Sequence, residues 1–397
     1  METEKNQQQE LFVVGIDIHP DHFTAAAYKG RNSLDYDRLW LHTEVIMGKW
    51  EKWLQKHVPL RSILVLEAGC NSFEYAKRAN ELGYQSVVLD SVRVAKLSKA
   101  YCKNDKEDAV KLAKIYFSGL IKEKVWQPDS TTRIRREIFA SYRRAVTDST
   151  RSKNRLRGFL TGHGIRLKKG TRLTASRTAE NLLARNIWSE GERQILRSMF
   201  EDIQYAEKQR KKFHEYITRE VLAVPMMREL MRLCGIRILC AYALMAAIGD
   251  INRFANPKKL VAYLGLTPKS YASGNSKKNG GLTRTGRREV KAYLVQAAQS
   301  ILRSKNAGGE KLRKWGYSLM CRKNKNIAVA AVARKLVIAV WYLMRGVLPE
   351  IIDITKEIKQ KMKKIADELG LDIIKAMGYR APAEFIKEYT ECLLLKT

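Results

Sequence analysis

The sequence predicts an α/β domain followed by a mainly helical remainder. Two observations carry that expectation, and a third bears on the partner. Apolar runs of strand length recur through residues 11–89, with only short helical stretches between them. Farther on, apolar residues step by three and four, as on one face of a helix. Finally, 74 Lys plus Arg stand against 41 Asp plus Glu, a net charge of +33, and twelve of those cations lie between Thr131 and Gly170 beside two acids.

At 397 residues the chain is long enough for two or more domains with real cores. An excess of 33 positive charges exceeds what solubility asks for, so the expected partner is nucleic acid, whose phosphates supply the missing charge; an anionic membrane is the competing reading. Six cysteines (Cys70, Cys102, Cys234, Cys240, Cys321, Cys392) lack zinc-type spacing, and no signal peptide is read, which predicts reduced thiols in the cytoplasm. The long apolar run from Ile327 to Met344 carries Arg334 and Lys335 at its centre, which predicts a buried helix and no membrane span.

Element by element, Leu11–Ile18, Phe23–Tyr28 and Tyr36–Leu41 read as strands, and Glu44–His57 as a helix. Ile63–Leu66 is a further strand, Ser72–Leu82 a helix, and Ser86–Leu89 a strand before a helix in "KNDKEDAVKLA". The order β-β-β-α-β-α-β-α departs from strict β-α alternation and matches a ribonuclease H-like arrangement. In that order Asp17 closes the first strand and Glu67 the fourth, its neighbour in the sheet, while Asp105 and Asp108 share a helix face. Singly, each acid reads as a cap or a solvated strand end. Together they predict a carboxylate cluster for hard divalent cations.

From residue 131 the twelve cations are Arg133, Arg135, Arg136, Arg143, Arg144, Arg151, Lys153, Arg155, Arg157, Arg166, Lys168 and Lys169. Ile138, Tyr142, Val146, Leu156 and Leu160 give the helix an apolar face, leaving arginines for phosphate contacts. Leu196, Met199, Ile203, Ala206, Phe213 and Ile217 fit a coiled-coil seam. That seam serves either dimerisation, the preferred reading, or packing on the chain's own helices. After Pro225, Cys234-Gly235-Ile236 reads as a small-residue turn ahead of a helix, suited to gripping a phosphate. A Gly-rich loop then carries Lys277, Lys278, Arg284, Arg287, Arg288 and Lys291, suited to holding DNA. Its hydroxyls (Ser270, Tyr271, Ser273, Ser276, Thr283) are ordinary turn residues, and composition selects none as a nucleophile.

The motifs "VVGIDIHPDH", "LEAGCNSFEYA", "KNDKEDAVKLA", "SKNRLRGFL", "IGDINRFANPKKLVAYLGLTPKSYASG" and "GGLTRTGRREVK" occur in one order between Val13 and Leu348. In this the chain resembles the DEDD transposases of the insertion-sequence one-ten family, the bridge-RNA-guided serine recombinases. His19-Pro20 and Asn104 depart from the usual residues, and neither departure is expected to touch a predicted ligand. The resemblance implies a RuvC-type ribonuclease H-like domain over residues 1–130, with Asp17, Glu67, Asp105 and Asp108 as metal ligands. It implies a basic helical and coiled-coil region over 131–225 and a mainly helical transposase domain over 226–350, whose nucleophile matches Ser273. The tail, 351–397, has no assigned role. Mg²⁺ at a two-metal site is the implied cofactor, with Mn²⁺ as the alternative. Double-stranded DNA, a structured guide RNA and a homodimer or homotetramer are the implied partners, with the nucleoid of a prokaryotic cytoplasm as the implied location. Nucleic-acid contacts are expected from Arg143, Arg144, Arg151, Lys153, Arg155, Arg157, Lys277, Lys278, Arg284, Arg287 and Arg288.

Three readings compete with an RNA-guided transposase. A site-specific DNA invertase would share all these residues. A two-metal nuclease of the Holliday-junction kind would need the four acids and leave Ser273 a bystander. An RNA-binding scaffold would need neither.

Overall fold

The computed structural model describes residues 10–394 except 70, 98–103, 121–123, 274–275, 284 and 306; of residues 270–273, 276–279 and 307 it describes the backbone alone. The chain divides into two compact units, Met1–Gln127 and Pro128–Thr397.

In the first unit, strands β1 (Leu11–Ile18), β2 (His22–Asn32) and β3 (Asp35–Ile46) form an antiparallel meander. Helix α1 (Trp50–His57) leads to β4 (Ile63–Glu67), α2 (Ser72–Glu81) to β5 (Gln85–Leu89), and α3 (Ser91–Leu97) and α4 (Asp105–Ser118) follow. The sheet order is β3-β2-β1-β4-β5, with β4 parallel to both β1 and β5. The expected helix from Glu44 begins later, because β3 stays paired as far as Ile46, opposite His22, and bends at Glu44 with a positive φ of 55°.

Both faces of the sheet are covered, and the period-2 alternation decides which residue meets which layer. Val14, Ile16, Leu64, Leu66 and Val88 form one core with Trp50, Leu54 and Ala76. Val13, Ile63, Val65, Val87 and Leu89 form the other with Ala109, Leu112 and Ala113 of α4. Gly15 lies on the α4 side, where a Cβ would stand 2.1 Å from the Ala109 carbonyl oxygen and 2.7 Å from the Ala113 nitrogen. Only a residue without a side chain admits so close a helix.

The second unit is helical apart from one hairpin. Helices α5 (Ser130–Gly162) and α7 (Glu190–Ala223) run antiparallel, Arg135 meeting Glu220 at one end and Arg155 meeting Asp202 toward the other. Between them α6 (Ser176–Leu183) and Trp188 close the far end over Leu156, Leu160, Leu196 and Phe200. A reciprocal capping box of Ser189 and Glu192 starts α7. The expected coiled-coil seam is therefore filled within the chain: Leu196 and Ile203 pack beside Leu156 and Leu160 of α5. The preference for dimerisation through it is corrected accordingly.

Helices α8 (Pro225–Arg232), α9 (Ile238–Ile248), α10 (Pro257–Tyr263), α11 (Arg288–Arg303), α12 (Glu310–Met320) and α13 (Lys325–Met344) make one core, with strands β6 (Pro268–Ser273) and β7 (Ser276–Leu282) between α10 and α11. Helix α13 is long and apolar enough to cross a membrane by length and composition, and it buries Val329, Val332, Leu336 and Val340 in this core. Its exposed Lys335 lies 4.3 Å from the Trp315 ring centroid. The tail joins the same core through α14 (Thr355–Leu369), α15 (Leu371–Ala376) and α16 (Pro382–Leu394), with Ile358, Met362 and Phe385 buried. It is pinned by a bridge between Leu233 and Ile352 and by Lys361, whose Nζ sits 2.6 Å from Asp353 Oδ2 and 2.6 Å from the Met231 carbonyl oxygen.

That tail overturns the phosphate-gripping expectation for Cys234-Gly235-Ile236. Cys234 and Ile236 are buried, the Cys234 amide donates to the Ile351 carbonyl at 3.0 Å, and Gly235 presses on Ala297 of α11. The turn is packing, not a ligand cradle. Burial pushes the Cys234 and Cys240 thiols up to about 12, which makes them inert. Cys321 and Cys392 are also free thiols, while Cys70 and Cys102 lie outside the described residues.

Two stability outcomes follow from this packing. Gly15→Ala drives a methyl group into the α4 backbone and should cost about 1–3 kcal/mol of unfolding free energy in urea titrations. Glu207 accepts from Ser149 and Lys153 at 2.6 Å each and from Arg210 at 2.9 Å. Burial pushes its carboxyl up, but these three partners outweigh burial and hold it at about 2. A depressed folded-state carboxylate stabilises above its unfolded value and loses that contribution as pH falls through the folded one. Glu207→Gln should therefore lower the melting temperature at pH 7, and the gap to wild type should close between about pH 4.5 and about 2. A gap that stays constant with pH would show that the pairs contribute nothing.

Candidate active site

The site in the first unit is built by strand register. Ile16 of β1 pairs with Leu66 of β4, so the next residues, Asp17 and Glu67, leave adjacent parallel strands together. Being odd-numbered like Val13 and Val65, they belong to the face covered by α4. The close approach at Gly15 then seats the first turn of α4, with Asp105 and Asp108, over the ends of those strands. Asn104 caps this helix, its side chain accepting from the Lys106 amide at 3.2 Å, and the acids of the first turn suit the positive end of the helix dipole.

The electrostatics match that geometry. Burial pushes the Asp17 carboxyl up, and nearby Asp108 and Asp105 push it further, while His19 works in the opposite direction. A half-buried carboxylate whose neighbours are carboxylates is held in an unfavourable state that a divalent cation relieves. Asp17, Asp105 and Asp108 are therefore oxygen donors of the kind such an ion takes. When bound, it would polarise a phosphate and stabilise the attacking and leaving oxygens.

Two residues outside the expected ligand set belong here. His19 Nε2 lies 3.2 Å from Asp17 Oδ2 and 3.4 Å from Asp105 Oδ2, so the expectation that His19 touches no predicted ligand is corrected. His22 stacks on His19 with ring centroids 4.6 Å apart. A turn in which the His19 amide donates to the His22 carbonyl at 2.9 Å brings both imidazoles to the strand end. Lys111 reaches in from the next turn of α4, 3.1 Å from Asp108 Oδ1.

Ser273 belongs to the second unit, as the last residue of β6, paired with Ser276 of β7. Its side chain lies outside the described residues. The root of this hairpin is tight: a Cβ on Gly265 would meet the Thr285 carbonyl oxygen at 2.5 Å, and one on Gly286 the Gly265 nitrogen at 2.7 Å. Thr283 N donates to Thr267 O at 2.9 Å just above. Tyr263 anchors the root. Its hydroxyl donates to Ala247 O at 3.1 Å and accepts from Arg287 Nε at 3.1 Å. Burial alone would raise that phenol, yet Arg287, Arg253 and Arg136 hold it below its usual value.

The basic residues expected at nucleic acid differ in their surroundings. Arg143, Arg144, Arg151, Arg155 and Arg157 are exposed on α5, and Arg288 at the start of α11. Of these Arg151 and Arg155 pair with exposed acids, Asp148 at 3.8 Å and Asp202 at 3.5 Å. Such solvent-screened pairs are worth little and open readily to a phosphate. Lys153 is instead held by Glu207, and Arg287 by Tyr263 and Glu289. Lys277 and Lys278 stand in β7 opposite Ala272 and Tyr271, and Arg284 lies outside the described residues.

Comparison with known proteins adds the chemistry. Residues 14–165 match the model of the IS110-type DEDD transposases, described as a transposase. Residues 227–313 match that of the transposase IS116/IS110/IS902 family. Among curated proteins, the transposase for insertion sequence element IS1111A of Coxiella burnetii is 21% identical over 86% of this chain and 91% of its own. The y4qE protein of Sinorhizobium fredii is 24% identical over 70% of this chain and 74% of its own. Family models match on both sides of the unit boundary, and a divalent metal and a DNA substrate go with the family. The chain belongs to the IS110 family of DEDD transposases, enzymes that cut and rejoin DNA.

Proposed function

We propose that the first unit is a ribonuclease H-like, RuvC-type domain whose Asp17, Glu67, Asp105 and Asp108 hold Mg²⁺, and that Ser273 is the nucleophile of an RNA-guided transposition. The observation that supports this reading is the register that ends neighbouring parallel strands at Asp17 and Glu67, with Asp105 and Asp108 of α4 close enough to act on Asp17. The sheet order β3-β2-β1-β4-β5 supports the fold assignment.

In this reading the Ser273 oxygen attacks the scissile phosphorus. A serine–phosphate bond forms, the bond to the 3′ oxygen breaks, and the serine proton passes through solvent to the departing 3′-hydroxyl. The phosphodiester bond energy is kept in the phosphoserine, so the strand can be rejoined to a new 3′ end without ATP. A serine is a weak nucleophile at neutral pH, which is why polarisation of the phosphate at the acids is needed. Base pairing with a structured guide RNA selects the DNA, while exposed arginines of α5 and the basic hairpin grip backbones. Acids in one unit and the serine in the other allow the halves of a working centre to come from different copies in a dimer or tetramer.

The test is trapping of the covalent adduct. Wild type with its flanking RNA, Mg²⁺ and labelled DNA should give a protein–DNA species on a denaturing gel, and Ser273→Ala should give none. Asp17→Asn and Glu67→Gln should abolish both adduct and cleavage while leaving RNA affinity within about twofold. Cleavage that survives Ser273→Ala without an adduct would make the chain a two-metal nuclease. Removal of charge at Arg143, Arg144, Arg155 and Arg157 should weaken RNA binding. It should also flatten the salt dependence of that binding by about 0.7–0.9 for every phosphate no longer neutralised. Unchanged affinity would place the RNA elsewhere.

A further inference from the structure

His19 and His22 stand stacked at the strand end that carries Asp17. Together with Asp105 they offer three ligand atoms that all lie within 4.8 Å of one another, two of them imidazole nitrogens. The 3.2 Å and 3.4 Å separations from His19 Nε2 to Asp17 and Asp105 are already those between adjacent ligands of an ion bound at about 2.0–2.2 Å. His22 also carries the support usual behind a metal-bound imidazole. Its Nδ1 lies 2.8 Å from Asp21 Oδ1, which fixes the ring orientation and leaves Nε2 for an ion. The backbone is set in advance, because Pro20 restricts the turn and the His19 amide is bonded to the His22 carbonyl.

We infer that His19, His22 and Asp105, bordering Asp17, form a mixed imidazole–carboxylate site that binds a first-row transition cation in preference to Mg²⁺. Mg²⁺ demands oxygen ligands and gives up its water reluctantly, so two imidazoles contribute little to holding it. Transition ions accept imidazole nitrogen together with carboxylate oxygen. The inference rests on the four-acid reading of this site, since Asp17 and Asp105 are shared. It adds that two side chains outside the acid set decide which ion the site prefers. The α4 helix and the β1–β2 turn supply the ligands from separate elements, so the site forms only in the folded unit.

Mn²⁺ is the stringent probe, because it is the weakest binder of the first-row divalent series. Calorimetric titration of the full chain with Mn²⁺ and with Mg²⁺ should give at least about tenfold tighter binding of Mn²⁺. Pulsed electron paramagnetic resonance of the Mn²⁺ complex should show ¹⁴N couplings from coordinated imidazole. The His22 ring is hydrogen-bonded to Asp21, so His22→Asn removes one imidazole while keeping His19, Asp17 and Asp105. It should weaken Mn²⁺ about 10–100-fold and leave Mg²⁺ within about twofold. His19→Asn/His22→Asn should remove the nitrogen couplings altogether. Equal affinity for the two ions, absence of ¹⁴N coupling, or wild-type Mn²⁺ binding by His22→Asn would each overturn the inference. Glu67→Gln separates the two readings: loss of Mg²⁺ affinity there, with no nitrogen coupling in wild type, would keep the four-acid site and discard the imidazole one.

Discussion

The contact between Gly15 and the backbone of α4 is the constraint on which the first unit depends. A helix ordinarily stands off a sheet by the length of the intervening side chains. Here there is none at the central position, and the helix backbone comes within van der Waals reach of the strand. Ala109 and Ala113, one helical turn apart, keep the helix side of the contact equally small. The consequence reaches past packing. Asp105 and Asp108 precede Ala109 by four and one residues, so lowering the helix onto β1 lowers the acids onto the end of the same strand. A side chain at residue 15 would lift them away. One missing methyl group thus couples the hydrophobic core of the sheet to the electrostatics of the site.

Charge is handled differently in the second unit. An antiparallel pair of long helices with so many arginines would repel itself unless acids stood between them. Glu207 and Glu220 fill that role at the α5–α7 junction, the first holding Lys153 and Arg210 and the second Arg135. What remains outward includes guanidiniums whose acidic partners are themselves exposed and weakly held. The division between Lys153, committed to Glu207, and Arg151 or Arg155, loosely paired, follows from burial of the acid and not from the identity of the base.

Much of this was legible in the sequence. Strand and helix periods located β1, β2, β4, β5 and α2, and the order of elements supplied the neighbours on which the Asp17–Glu67 pairing rests. Where sequence failed, the missing information was three-dimensional. Val45 and Ile46 suit a strand or the start of a helix alike when read by pattern, and only pairing with β2 extends β3 to Ile46. Cys234-Gly235-Ile236 has the composition of a phosphate loop, but the tail that covers it comes more than a hundred residues later. The seam on α7 has the same pattern whether its partner is another chain or α5. A histidine two residues from an acid in a strand faces the same side only if the strand continues, so His19 gave no signal. The turn at Pro20 is what folds it back toward both Asp17 and Asp105.

The hairpin bearing Ser273 presents the opposite engineering problem from the acids. The acids are fixed by a core on both sides of the sheet, whereas a two-stranded ribbon has no core of its own and is marginal by itself. Its definition must come from the root. There the backbone of Gly265 touches Thr285 and Gly286, and Tyr263 ties both ends to the carbonyl terminus of α9 through Ala247 and Arg287. Arg136 and Arg253 donate to the same helix end, at Ala246, Ala247 and Ile248, which with Arg287 gathers three guanidiniums around one phenol. Three cations in one place are unfavourable in isolation. They are tolerated because the last carbonyls of α9 and its dipole carry the complementary partial charge. Rigidity at the root and reach at the tip are then separate properties, the first set by glycines and a charged network, the second by the length of the ribbon. On the proposed reading, a serine offered to a phosphate needs both.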